Sequence, residues 1–192
     1  MNKNITRNYS PESHLNFTRI GVIGCTGSGK STFAKELANL MHLNYIELDS
    51  IHWQPGWNEA PREVTRRKVN ELVQTDSFVV DGNYGFLRDM IWPRLQVIFW
   101  LDYPLPRVIW QLLWRTISRI FSKELLWGTN IERFWPQFFS KESLFLWALK
   151  THERHRKLYP ILFSSQDYNH LHVYHFRNPG EARIWLDNLA CE

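Results

Sequence analysis

Arg19-Ile20-Gly21-Val22-Ile23-Gly24-Cys25-Thr26-Gly27-Ser28-Gly29-Lys30-Ser31-Thr32 passes from an apolar half into a glycine-rich half. The first half, Arg19 to Gly24, reads as a short buried strand. Beyond it, Ser31 to Met41 reads as a helix whose inner side carries Phe33, Ala34, Leu37, Ala38, Leu40 and Met41. Between strand and helix, Gly24, Gly29, Lys30 and Ser31 satisfy the spacing glycine, four residues, glycine, lysine, serine. Glycines let the backbone turn tightly and approach a phosphate without a side-chain clash. The amides of Thr26, Gly27, Ser28, Gly29, Lys30, Ser31 and Thr32 are then available as an anion nest at a helix start. Lys30 can reach the β- and γ-phosphates, and the Ser31 hydroxyl can ligate Mg²⁺. A nucleoside triphosphate, ATP with Mg²⁺, is the expected ligand. Cys25 reads as a small spacer whose backbone does the work, rather than as a redox centre.

Outward from this loop, strands and helices alternate. Asn44 to Asp49 reads as a second strand, and a helix follows from Pro61 to about Gln74. Phe78 to Asp81 is a third strand and Val97 to Asp102 a fourth. Helices are expected over Arg107–Phe121 and Lys141–Lys157, with a less regular piece around Trp127-Gly128-Thr129-Asn130 between them. His172 to Phe176 is a fifth strand, and Glu181 to Leu189 the last helix. Short apolar strands alternating with helices imply an α/β fold whose parallel strands are joined by right-handed crossovers. The 192 residues favour one domain, 19–192, after a flexible polar leader, 1–18.

Composition narrows the function classes. A net charge of +4 suits a protein that handles phosphate and does not demand nucleic acid. Cys25 and Cys191 give neither a disulfide framework nor a metal spacing, so a cytoplasmic setting is expected. The most apolar stretch, Leu95–Trp114, is interrupted by Asp102, Pro104, Pro106 and Arg107 and does not read as a membrane span.

In open α/β sheets, ligands bind beyond the carboxyl ends of the strands. Three strands here end in aspartate. Asp81, after three apolar residues, reads as the carboxylate that organises Mg²⁺. Asp49 reads as the group that orients an acceptor hydroxyl or takes its proton. Asp102 can face the site, cap the next helix or fix a turn. Arg115 and Arg119 lie four apart and share a helix face, where a triphosphate or plain solvent would balance them. Arg133, Arg154 and Arg156 follow them. The many aromatics between Trp92 and Trp147 can form a stacking platform for nucleic acid, but Trp110, Leu113, Trp114, Leu144, Trp147 and Ala148 fit two packed helix faces better. His170, His172 and His175 read as surface or packing residues rather than a metal site.

The phosphate loop, Leu48-Asp49-Ser50-Ile51-His52-Trp53 with Pro55 and Trp57, Val80-Asp81-Gly82-Asn83-Tyr84, and Leu101-Asp102-Tyr103-Pro104 together resemble the adenylate kinase-related P-loop proteins labelled DNA topology modulation protein, FlaR type. Thr129-Asn130-Ile131-Glu132 and the helix through Arg154-His155-Arg156 extend the resemblance to about residues 19–190. It implies a three-layer P-loop NTPase fold: five parallel strands flanked by helices, with a small helical lid inserted at about 120–142. It implies that Arg115 and Arg119 serve the adenine and the phosphates, and that Arg177 lies in the turn that contacts the base. The implied activity is transfer of the γ-phosphoryl group of Mg-ATP to a nucleotide or other small acceptor. Lys30, Asp49, Arg115 and Arg119 would be catalytic, and Ser31 with Asp81 would hold the metal. A nucleotide-dependent switch or ATPase acting with DNA or a protein partner is the alternative. DNA is not the expected partner, because no DNA-reading motif is present. After its third strand the chain has Asp81-Gly82-Asn83-Tyr84 where adenylate kinases carry Asp-Gly-Phe-Pro-Arg. It also lacks their Thr-Gly-Asp signature, so the acceptor side departs while the ATP side is kept.

Overall fold

The computed structural model describes residues 5–6, 17–122, 125–131 and 144–191. Its centre is a parallel sheet. Five strands expected from the sequence are present: β2 (Arg19–Gly24), β3 (Asn44–Glu47), β6 (Phe78–Asp81), β7 (Val97–Leu101) and β10 (His172–Phe176). A sixth, β1 (Ile5–Thr6), pairs with Val173 and Tyr174 of β10, so two residues of the stretch expected to be a flexible leader form a sheet edge. The order is β1-β10-β7-β2-β6-β3, all parallel. In β2, β6 and β7 nearly every side chain is buried, as a sheet covered on both faces requires.

Alternation along each strand divides the core in two. Ile20, Val22, Phe99, Tyr174 and Phe176 point to one face, under α1 (Lys30–Leu40) and the last helix, Pro179–Ala190. Phe99 stacks on Tyr174 at 5.0 Å and meets Trp185 edge-on at 4.6 Å. Ile23, Val80, Ile98, Trp100 and Val173 point to the other face, against Trp92, Tyr159 and Phe163. Trp92, Trp100 and Trp185 are core residues, which accounts for part of the high tryptophan count.

Several boundaries differ from the sequence reading. The second strand ends at Glu47, because the Ser50 hydroxyl donates to the Glu47 carbonyl at 2.8 Å and starts a one-turn helix, α2 (Leu48–His52). Asp49 therefore stands on a helix and not on a strand end. A small hairpin follows, β4 (Trp53–Gln54) with β5 (Asn58–Glu59). Then come α3 (Arg62–Leu72) and α4 (Arg88–Ile91). The next helix, α5 (Leu105–Ser122), starts two residues early. Helix α6 (Leu144–Phe163) runs through Pro160 to Phe163, past the expected end at Lys157. The last helix is α7 (Pro179–Ala190), with Asn178 accepting from the Glu181 amide at 3.0 Å as its cap.

Of the inserted segment expected at about 120–142, residues 120–122 end α5, and Leu125–Ile131 form a hairpin, β8 (Leu125–Leu126) with β9 (Asn130–Ile131), where a helical lid was expected. Arg133, Glu132 and the expected helix start at Lys141 lie outside the described residues. No described helix is long and apolar enough to cross a membrane.

Candidate active site

Strand register gathers the site. Gly24 pairs with Leu101, which pairs with Phe176; Val22 pairs with Asp81, which pairs with Glu47. The phosphate loop, Glu47, Asp81, Asp102 and Arg177 therefore share the carboxyl edge of the sheet, where ligands of such sheets bind.

The loop is shaped by its glycines at two points. Gly27 has φ +83°, and a Cβ there would lie 2.9 Å from the Val108 carbonyl oxygen of α5. Gly29, the residue before α1, has φ +86° with open space around it, so the backbone angle alone selects glycine. Ser28 is buried and its amide donates to the Cys25 carbonyl at 3.1 Å, while Thr26 is half-buried and Thr32 exposed. The Lys30 ammonium donates to the same Cys25 carbonyl at 3.4 Å. Cys25 itself is buried, with its sulfur 3.5 Å from the Ala148 carbonyl oxygen and 3.7 Å from the Thr151 hydroxyl. Burial pushes its thiol pKa up, the opposite of an activated cysteine. The loop is thus tied to α6.

Ser31 and Asp81, the expected metal pair, are brought together: the Ser31 hydroxyl is near enough to the Asp81 carboxylate and the Tyr45 phenol to pull both pKa values down. Tyr45 donates its hydroxyl to Asp81 Oδ2 at 3.0 Å. Asp81 Oδ1 is buried without a hydrogen-bond partner. Burial raises the Asp81 pKa, and Lys30 and Ser31 oppose that rise. A hard cation held by oxygen ligands suits this orphaned oxygen and the neighbouring hydroxyl, since Mg²⁺ takes few protein ligands and fills its shell with water and phosphate.

On the far side of Asp81, Asp49 is exposed, and its Oδ1 accepts the Tyr84 hydroxyl at 2.6 Å. Burial and then the Asp49 charge raise the Tyr84 pKa, so the phenol stays a donor. Rings line this flank: Tyr84 is tilted against His52 at 4.8 Å, and the rest meet edge to face, His52 to Trp53 at 5.1 Å, Trp53 to Trp57 at 5.9 Å, and Trp57 to Trp127 at 5.8 Å. The last contact joins the β4–β5 hairpin to the β8–β9 hairpin. Asn130 fixes it: buried Oδ1 accepts from the Trp57 amide at 3.0 Å, and Nδ2 donates to the Gln54 carbonyl at 3.1 Å. Trp57 and Trp127 both have left-handed backbone, φ +62° and +50°, a strained state for a tryptophan. Burial raises the pKa of Glu47, and the nearby Trp127 side chain opposes that rise.

The opposite flank is basic. Asn83 donates to the Tyr159 hydroxyl at 2.7 Å and lies 3.4 Å from His155 Nε2. Burial, then the charges of Lys30, Arg154 and Arg88, push His155 down to about 4, so it is neutral at pH 7. Arg115 and Arg119 are half-buried on α5, one and two turns beyond Leu112, which a Cβ on Gly27 would touch. Arg177 is exposed, its amide donating to Glu181 Oε2 at 2.6 Å. Asp102 is buried in an ion pair with Arg156 Nε at 2.8 Å and a bond to His175 Nε2 at 2.9 Å. It anchors α6 to the sheet. The histidine cluster holds no metal set, and none occurs among the described residues. Sequence reasoning missed Tyr45, Glu47 and the pairing of Trp57 with Trp127. A glycine directly after Trp127 and one directly before Trp57 were the available signal.

No family model matches the chain. The shikimate kinases of Synechococcus elongatus and Synechococcus sp. are each 25% identical to it over 141 residues, 62% of this chain and 74% of theirs. Among solved structures, the shikimate kinase from Acinetobacter baumannii in complex with shikimate aligns with TM-score 0.57 at 16% identity, covering 93% of both chains. The shikimate kinase from Bacteroides thetaiotaomicron gives 0.53 at 17%, covering 90% of this chain and 96% of that one. A gluconokinase from Sinorhizobium meliloti gives 0.50 at 17%, covering 91% and 92%. The solved structures establish the fold. The similarity to the two curated kinases supports a phosphotransferase. These comparisons do not show the FlaR-type family.

Proposed function

We propose that this chain transfers the γ-phosphoryl group of Mg-ATP to a hydroxyl of a nucleotide or other small acceptor, with Asp49 as the residue that meets that hydroxyl. The observation that carries the proposal is the convergence of Lys30, Ser31, Asp81 and Asp49 at one sheet edge, with Asp49 beyond Asp81 as seen from the loop. The loop amides and Lys30 bind the β- and γ-phosphates. Ser31 and Asp81 would hold Mg²⁺, which when bound neutralises charge on the triphosphate oxygens. The Tyr84 hydroxyl orients the Asp49 carboxylate, leaving its second oxygen for the acceptor. The acceptor oxygen forms a bond to the γ-phosphorus, the bond from that phosphorus to the β–γ bridging oxygen breaks, and the acceptor proton passes to Asp49. Arg115 and Arg119 approach from α5 and stabilise the negative charge of the transferring group, and Arg177 borders the base. The β8–β9 hairpin against the β4–β5 hairpin keeps water from the acceptor pocket, which limits hydrolysis. The two cysteines are free, one buried and one exposed, in keeping with a cytoplasmic protein. DNA has no part in this reading.

The test is ADP formation by the purified protein with Mg-ATP, with and without a panel of hydroxyl acceptors. Acceptor-dependent ADP release with a phosphorylated product supports the proposal. ADP release at an equal rate with and without every acceptor makes the chain an ATPase instead.

A further inference from the structure

The fold treats the two oxygens of the Asp81 carboxylate differently. Asp81 ends β6 and is 4% exposed. Its Oδ2 accepts the Tyr45 hydroxyl at 3.0 Å. Its Oδ1 is buried and, among the described residues, has no hydrogen-bond partner. A buried carboxylate oxygen left in that state is costly until a ligand completes it. Strand register sets up the bond from Tyr45. β3 runs parallel to β6, with Tyr45 opposite Val79 and Glu47 opposite Asp81. Tyr45 and Glu47 lie two apart and share a face of the sheet, so the phenol reaches along the strand to the carboxylate. Helix α1 holds the ring in place: Lys35 Nζ lies 5.4 Å from the Tyr45 ring centroid and 3.9 Å from Glu47 Oε2. Lys35 and Ser31 are four apart on α1, so the helix that carries the Ser31 hydroxyl also holds Tyr45.

We propose that Tyr45 is the positioning residue of the metal site: by occupying Oδ2 it leaves Asp81 a single oxygen for the cation, and so makes the site select Mg²⁺ over Ca²⁺. This rests on the reading that Ser31 and Asp81 hold the cation of the bound triphosphate. A phenol has one proton to donate, and the bond it makes limits rotation of the carboxylate. Mg²⁺ demands near-ideal octahedral geometry and is held by few carboxylate oxygens with phosphate and water. Ca²⁺ takes more oxygens in a looser shell and accepts both oxygens of one carboxylate. A partner that orients a ligating carboxylate therefore sets both affinity and choice of ion. Without the phenol, Asp81 is free to turn both oxygens to the cation, which suits the larger ion.

The experiment measures binding of a non-hydrolysable β,γ-imido analogue of ATP by calorimetry, in chelator, in Mg²⁺ and in Ca²⁺. The intact chain, Tyr45→Phe and Asp81→Asn are compared. Tyr45→Phe keeps the ring against Lys35 and removes only the hydroxyl. Its affinity in chelator should stay within about twofold of the intact chain, while the tightening by Mg²⁺ falls at least about tenfold. The tightening by Ca²⁺ should fall less, so the preference for Mg²⁺ narrows. Asp81→Asn should lose most of the Mg²⁺ effect. Tyr45→Phe with an intact Mg²⁺ effect overturns the inference and leaves Asp81 as the metal carboxylate. Weakening by the same factor in chelator and in Mg²⁺ also overturns it, since a structural role would do that. An intact chain that takes Ca²⁺ as well as Mg²⁺ overturns the selectivity. An intact Mg²⁺ effect in Asp81→Asn takes the metal off Asp81, and the inference falls with that assignment. Absence of analogue binding by the intact chain sinks the kinase reading itself.

Discussion

The two flanks of the cleft are built in different ways. The phosphate flank is mostly backbone: eight consecutive residues, Gly24 to Ser31, turn at Gly27 and Gly29 and present amides at the start of one helix. The acceptor flank is all side chain, drawn from β3, α2, the β4–β5 hairpin, the turn after β6 and the β8–β9 hairpin. A backbone site tolerates little change because each glycine answers a steric or dihedral demand. A side-chain site can be refitted one residue at a time.

The sharpest way to break the contrast is at Lys30. Lys30→Ala should lower phosphoryl transfer by on the order of 10²–10³-fold or more, with the circular dichroism spectrum and melting temperature nearly unchanged. Retained activity would take the loop out of the mechanism. Asp49→Asn should lower kcat by about 10²-fold or more while ATP affinity, read by calorimetry, stays within about twofold. Equal losses in both would move Asp49 to the phosphate flank. Tyr84→Phe, which removes the 2.6 Å bond to Asp49 and keeps the ring, should cost about tenfold in kcat.

Asn130 tests whether the two hairpins act as one wall. Asn130→Ala leaves the Trp57 amide and Gln54 carbonyl without their partner, a loss of about 1–3 kcal/mol. The expected outcome is a several-fold rise in acceptor KM and faster ATP hydrolysis without acceptor, with ATP affinity little changed. A fall in ATP affinity alone would uncouple the hairpin from the acceptor.

The smallest effect lies on the basic flank. His155 is held at about 4 against an ordinary 6.5, so between these pH values the unfolded chain binds more protons than the folded one. Stability should therefore fall as pH drops from about 6.5 to 4. Partial exposure reduces the loss to about 1–2 kcal/mol. His155→Gln should flatten that part of the urea-unfolding profile against pH. An unchanged slope would mean that His155 protonates normally in the folded protein.

What was legible follows the same division. Three of the five main strands were read from apolar runs ending in Gly24, Asp81 and Asp102, because a sheet covered on both faces leaves an unmistakable hydrophobic trace. Lys30, Ser31 and Asp81 were named because their spacing and strand-end position carry the chemistry. Asp49 was read as the end of a strand and stands instead on a one-turn helix, since one Ser50 hydroxyl bond redirects the chain. Asp102 was left open and is an anchor for Arg156 and His175, residues 54 and 73 positions away that no local pattern connects to it.

The sequence by itself determined the layered sheet and the glycine-rich loop between β2 and α1, because periodicity and glycine spacing are local properties of a chain. Tertiary structure alone decided that Trp57 meets Trp127, that Asn130 closes on the Trp57 amide, that Glu47 stands beside Asp81, and that His155 is neutral among cations. Those are facts of distance between segments far apart in the chain, and pairwise electrostatics and ring packing act only once folding has set the distance.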